Sequence, residues 1–67
     1  MNIGEKIKEL RKQAGLTQGQ LAEKIGASAG SLFCWEKGKN DPSMFSCIAL
    51  ADFFDITLDS LCGRSGT

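Results

Sequence analysis

Polar capping residues and glycines cut this chain into short helices. Asn2 followed three positions on by Glu5, and Thr17 followed by Gln20, read as capping boxes. Ser28, Ser43 (just after Pro42) and Thr57 read as further N-caps. Gly15, Gly26, Gly38 and Gly63 stand where helices stop. Between these marks apolar residues recur at helical spacing: Ile3, Ile7, Leu10 and Ala14; Leu21, Ala22 and Ile25; Leu32 and Trp35; Met44, Cys47, Ile48, Leu50, Ala51 and Phe54; Leu58, Leu61 and Cys62. No alternating run reads as a strand. The expectation is an all-α domain of five short helices at residues 1–63, followed by a disordered tail at 64–67. Its core should be Ile7, Leu10, Leu16, Leu21, Ala22, Ile25, Leu32, Trp35, Cys47, Leu50, Ala51, Phe54, Ile56, Leu58 and Leu61.

The second and third helices are separated only by Gly26-Ala27-Ser28. A three-residue turn with a glycine, between two short helices, is the helix-turn-helix arrangement. In that geometry the second helix enters the major groove of DNA and the first crosses the backbone.

Composition narrows the remaining classes. With 67 residues the chain is expected to be one small domain of modest stability. It has 42% hydrophobic and 24% charged residues, the ordinary globular range. No apolar run approaches the roughly 20 residues needed to cross a bilayer. Charged residues break up the N-terminus, so it does not read as a signal peptide, and a cytoplasmic address with no membrane partner is expected. Cys34, Cys47 and Cys62 form no C-x-x-C pair and the chain has no His, so no metal site and no cofactor are expected. Each cysteine reads as a small apolar helix residue. Without a nucleophile–base pair, no catalytic residue is assigned and enzyme activity is not expected.

Net charge is zero, a weak footprint for a nucleic-acid binder, but the charge is polarised. Residues 1–39 hold seven basic against four acidic residues (+3), whereas 40–67 hold Arg64 against four Asp (−3). The N-terminal half could face phosphates while the C-terminal half faces away.

The sequence resembles the Xre-type helix-turn-helix family of phage repressors and bacterial regulators. The resemblance spans roughly residues 3–62 and rests on Leu10-Arg11, Gly15-Leu16-Thr17-Gln18, Leu21-Ala22, Gly26, Trp35-Glu36-x-Gly38, Pro42, Leu50-Ala51 and Leu58-Asp59-x-Leu61. It implies a lambda-repressor-like domain of five helices, with the helix-turn-helix in the second and third. The implied activity is sequence-specific binding of double-stranded DNA by a transcriptional regulator, a repressor acting as a homodimer on a palindromic operator. Residue by residue, the resemblance pairs Arg11 with Glu36 in a structural salt bridge. It sets Gln18, Lys39 and Asn40 against phosphates, Ser28, Ala29, Gly30, Ser31, Phe33 and Cys34 at base-reading positions, and Phe53, Ile56 and Leu58 among candidates for a dimer contact.

The reading positions depart from the family pattern. They carry no Arg, Gln or Lys, the side chains suited to bidentate base contacts. Three readings stay open: DNA binding through small residues, serine hydroxyls and contact of Phe33 or Cys34 with thymine methyls; a protein-interaction module, antitoxin-like, using Phe33 and Phe45 as an apolar patch; or weak DNA binding assisted by a protein partner, with both Phe side chains packed locally.

Overall fold

A computed structural model describes residues 2–62 as five helices: α1 (Ile3–Gln13), α2 (Gln18–Ile25), α3 (Ala29–Lys37), α4 (Met44–Phe54) and α5 (Leu58–Leu61). No strand occurs among the described residues. Gly63 as a helix stop and the tail 64–67 lie outside them.

Asn2, Thr17, Ser28, Ser43 and Thr57 each accept a hydrogen bond from the backbone N–H three residues on. This satisfies a donor that a helix start otherwise leaves unpaired. Only the Thr17–Gln20 box closes in both directions: Gln20 Oε1 accepts from the Thr17 N–H at 2.9 Å. At the first helix Glu5 does not reach back to the Asn2 backbone. The Asn2 carboxamide itself donates to Glu5 Oε1 at 3.4 Å, so that box is half formed.

Gly15, Gly26 and Gly38 all have positive φ and end α1, α2 and α3. α4 ends differently: Asp55 takes the left-handed conformation at φ 57°, and the N–H of Ile56 returns to the Ala51 carbonyl at 2.9 Å. Asp is one of the few L-residues that enters this region readily.

The core joins Ile7 of α1, Leu21 and Ala22 of α2, Leu32 and Trp35 of α3, Cys47, Leu50 and Ala51 of α4 and Leu61 of α5. Leu10, Leu16, Ile25, Phe54 and Ile56 pack partly buried at its rim. Leu58 does not join it: a four-residue helix has one turn, and that turn aims Leu61 inward and leaves Leu58 exposed. Met44 and Ile48 are likewise exposed, because α4 buries the narrow face of Cys47, Leu50 and Ala51. The three cysteines also separate: Cys47 is buried, Cys34 half-buried and Cys62 exposed at the end of α5. Gly4 and Pro42 are buried without having been expected in the interior.

Candidate nucleic-acid interface

The turn between α2 and α3 is tight. Gly26 sits at φ 73°, ψ 30°, and the N–H groups of Gly26 and Ala27 both return to the Ala22 carbonyl. Ala27 tucks partly buried against the core, and Ser28, back in extended conformation, caps α3. A side chain on Gly26 would strain this backbone.

α3 then has two faces. Leu32 and Trp35 point inward, at 0% and 7% exposure. Ala29, Gly30, Phe33 and Lys37 are exposed, and their spacing of one, three and four residues places them along one outer stripe. Ser31 and Cys34 lie half-buried beside it. The Ser28 hydroxyl accepts from the Ser31 N–H at 3.1 Å and lies 3.0 Å from the Ser31 hydroxyl. Both serines are therefore engaged within the cap. Phe33 is 42% exposed, with the Lys37 and Lys39 ammonium groups 5.7 and 5.5 Å from the centre of its ring. Lys39 and Asn40 are exposed in the loop after Gly38.

One polar cluster fixes how α1, α2 and α3 sit together. Arg11 donates from Nε to Glu36 Oε2 at 2.7 Å and from Nη2 to Glu36 Oε1 at 3.0 Å, a two-pronged contact. Its Nη1 donates to the Leu16 carbonyl at 2.8 Å. Gln18, at the first position of α2, donates from Nε2 to Glu36 Oε1 at 3.1 Å. The Arg11 and Glu36 side chains are only 12% and 4% exposed. Burial pushes the Glu36 carboxyl up, but the hydrogen bonds from Arg11 and Gln18 and the charges of Arg11 and Lys8 outweigh it, so its pKa falls below the ordinary value. The hydrogen bond to Glu36 raises the Arg11 pKa against a smaller opposing effect of burial.

The structure thus brings Arg11, Gln18 and Glu36 together at the seam of three helices. It sets Ala29, Gly30 and Phe33 on the open face, and it turns the Gln18 amide toward Glu36. Phe53, in edge-to-face contact with Phe54 at 5.0 Å, is exposed on α4, as is Leu58 on α5, and Ile56 is half-buried between them in sequence.

Two contributors escaped the sequence reading. Lys37 joins the Phe33 ring, a contact its i+4 spacing could have signalled. Gly4 lets α1 approach α3: a Cβ there would run into the Trp35 carbonyl oxygen and lie 3.4 Å from the Glu36 Cα. No local signal marks that glycine, because its reason lies in a different helix.

The sequence profile described as "Helix-turn-helix" matches residues 7–61. The chain belongs to the helix-turn-helix family. Among its relatives, the cryptic phage CTXphi transcriptional repressor RstR of Vibrio cholerae is 39% identical over all 67 residues, which cover 60% of that protein. The HTH-type transcriptional activator BcrR of Enterococcus faecalis is 41% identical over 91% of this chain and 30% of its own length. The immunity repressor of Bacillus phage phi105 is 36% identical over 96% of this chain and 44% of its own. The chain therefore spans between about a third and three-fifths of these relatives.

Among solved structures, the P22 c2 repressor in complex with a synthetic operator superposes with a TM-score of 0.89 at 25% identity, covering 97% of this chain and 98% of that one. SinR in complex with DNA superposes at 0.80 with 30% identity over 88% of this chain and 95% of that one. The lambda-repressor-like, all-α architecture is thereby established. No helix among the described residues is long and apolar enough to cross a membrane.

Proposed function

We propose that this chain is the DNA-binding part of a cytoplasmic transcriptional regulator, a repressor that seats α3 in the major groove of a specific duplex site. The observation that carries this reading is the outer stripe of α3. Ala29, Gly30, Phe33 and Lys37 face solvent, no element among the described residues covers them, and the opposite face is locked into the core. Relatives named as repressors, and fold neighbours solved on operator or DNA, support the same reading.

Phosphates supply most of the affinity in such complexes and base edges the specificity. The first turn of α2 offers unpaired N–H groups and the positive end of the helix dipole. Gln18 sits there. One hydrogen of its amide is held by Glu36, and the other is left for a phosphate oxygen. Lys37, Lys39 and Asn40 would grip the backbone at the far end of α3. The Arg11–Glu36 pair acts on orientation: it holds α3 against α1 without touching DNA.

Two copies would pair through the α4–α5 corner, where Phe53 and Leu58 are exposed beside Ile56. Their α3 helices would then face successive major grooves about 34 Å apart on a palindromic site. Light scattering on the chain alone and with duplex tests the pairing, and a monomer in both removes it.

A second reading draws on α4. Phe45 is 85% and Met44 65% exposed, apolar residues such as an interaction module would use. A salt titration of duplex binding separates the two. DNA binding through phosphates requires affinity to fall linearly on a log–log plot as salt rises. No association with duplex even in dilute buffer favours the interaction module.

A further inference from the structure

Resting on the proposed DNA binding, we infer that the α3 surface reads the C5-methyl edge of pyrimidines, with Phe33 as the reading residue, and that it accepts 5-methylcytosine as it accepts thymine. Ala29, Gly30 and Phe33 carry no hydrogen-bonding side chain. Every hydrogen-bond code in the major groove needs a free donor or acceptor on the protein. Ser28 is committed to the cap of α3, and the Ser31 hydroxyl lies against it at 3.0 Å. Cys34 is half-buried and a weak donor.

Apart from the one hydroxyl hydrogen the paired serines leave over at the cap, and Lys37 at the far end of the stripe beside the Phe33 ring, what faces the groove is the Ala29 methyl, the bare Gly30 backbone and the Phe33 ring. Only one groove feature distinguishes itself to an apolar surface, the methyl on C5 of thymine. Ala29 and Gly30 are small, so the helix can approach closely, and Gly30 has only the Ser28 hydroxyl near it, at 3.9 Å from where a Cβ would be. Phe33 lies one turn further on and projects the largest apolar group of the stripe. Lys37 and Lys39 flank its ring with the positive charge that neighbouring phosphates require. A C5 methyl on cytosine occupies the same edge of the groove, so an apolar reader treats the two bases alike at that atom.

The test begins by enriching duplexes from a random pool with the full chain. At each thymine of the selected site, uracil is substituted to remove the methyl. Separately, that pair is changed to C·G with and without methylation at C5. Burying one methyl at the usual value per CH2 corresponds to about a four-fold change in affinity. Uracil at the read position should weaken binding by that factor, and C5 methylation should recover the same factor relative to plain cytosine. Phe33→Ala should bind thymine and uracil duplexes equally, whereas Phe33→Leu should keep the preference, and melting curves confirm that both variants fold. Equal binding of thymine and uracil duplexes by the unaltered chain overturns the inference and leaves DNA binding standing, as does a methyl preference that survives Phe33→Ala. Failure to enrich any duplex overturns both.

Discussion

Replacing Gly4 with alanine is a strict test of how the helix-turn-helix is braced. In a helix, Gly→Ala ordinarily stabilises by about 0.5–1 kcal/mol, because alanine loses less backbone freedom on folding. Here the sign should reverse. The new Cβ would overlap the Trp35 carbonyl oxygen and lie 3.1 Å from its carbon, and both are backbone atoms of α3 that cannot rotate aside. α1 must move away from α3, and overpacking of this kind costs about 1–3 kcal/mol. Set against the propensity gain, the net loss is about 0–2.5 kcal/mol. For a domain of this size each kcal/mol moves Tm by about 4–8 °C. The overlap adjoins Glu36, so the displacement also disturbs the two-pronged contact with Arg11. Gly19→Ala is the control: its Cβ would meet nothing nearer than the Thr17 hydroxyl at 4.0 Å, and its Tm should hold or rise. Thermal melts followed by far-UV circular dichroism decide the matter. A Gly4→Ala protein that melts at or above the parent would refute the claim that α1 and α3 meet backbone to backbone.

The other predictions concern charge, chain reversal and thiols. Glu36→Ala should destabilise by about 3–5 kcal/mol, since it strands a largely buried guanidinium, whereas Glu9→Ala on the exposed side of α1 should change little; equal effects in urea melts would dismiss the bracing role. Because the folded Glu36 carboxyl titrates below its ordinary value, its contribution is complete above about pH 4.3 and is lost as pH falls through the lowered value. Glu36→Gln should remove that part of the acid sensitivity, read as a flatter plot of stability against pH. Asp55→Gly should raise stability by about 0.5–1 kcal/mol by relieving the left-handed conformation that ends α4, and an unchanged or lower Tm would contradict it. Alkylation followed by mass spectrometry should modify the exposed Cys62 well before Cys47. The Cys47 thiol is buried on the core face of α4 and its pKa is pushed up, first by that burial and then by nearby Cys62 and Asp41.

The frame was legible because it is written in local chemistry. A cap needs a side-chain oxygen at one position and a backbone N–H three residues later, so Asn2, Thr17, Ser28, Ser43 and Thr57 announce helix starts within four residues of sequence. Glycine stops are equally local at Gly15, Gly26 and Gly38, whereas α4 ends on Asp55, where no glycine marks the stop. Burial was legible where a helix is long enough to have a face. It failed at Leu58, where α5 has only one turn, while on α4 the expected Cys47, Leu50 and Ala51 are buried and Met44 and Ile48, left out of the expected core, are exposed. Gly4 was invisible for a different reason. Its function is an absence of atoms facing another helix, and nothing within its own turn reports that.

The reading surface stands apart from both cases. Its backbone position follows from the frame: Gly26 turns the chain, Ser28 starts α3, and Leu32 with Trp35 decides which side faces out. Its chemistry does not follow, because residues on the open stripe are free of packing and are held only by whatever partner they meet. The serines illustrate the gap. In sequence, Ser28 and Ser31 stand at base-reading positions; in the fold their hydroxyls lie 3.0 Å apart and Ser28 accepts from the helix backbone, so both also serve the cap of α3. Gln18 moves the same way in part, with one amide hydrogen turned to Glu36 and one free. Once the capping and bracing groups are assigned to the frame, the chemistry left on α3 is smaller and more apolar than the residue list suggests. That remainder is why the inference of methyl reading falls on Phe33, the largest apolar group of the stripe, with the Lys37 and Lys39 ammonium groups beside its ring.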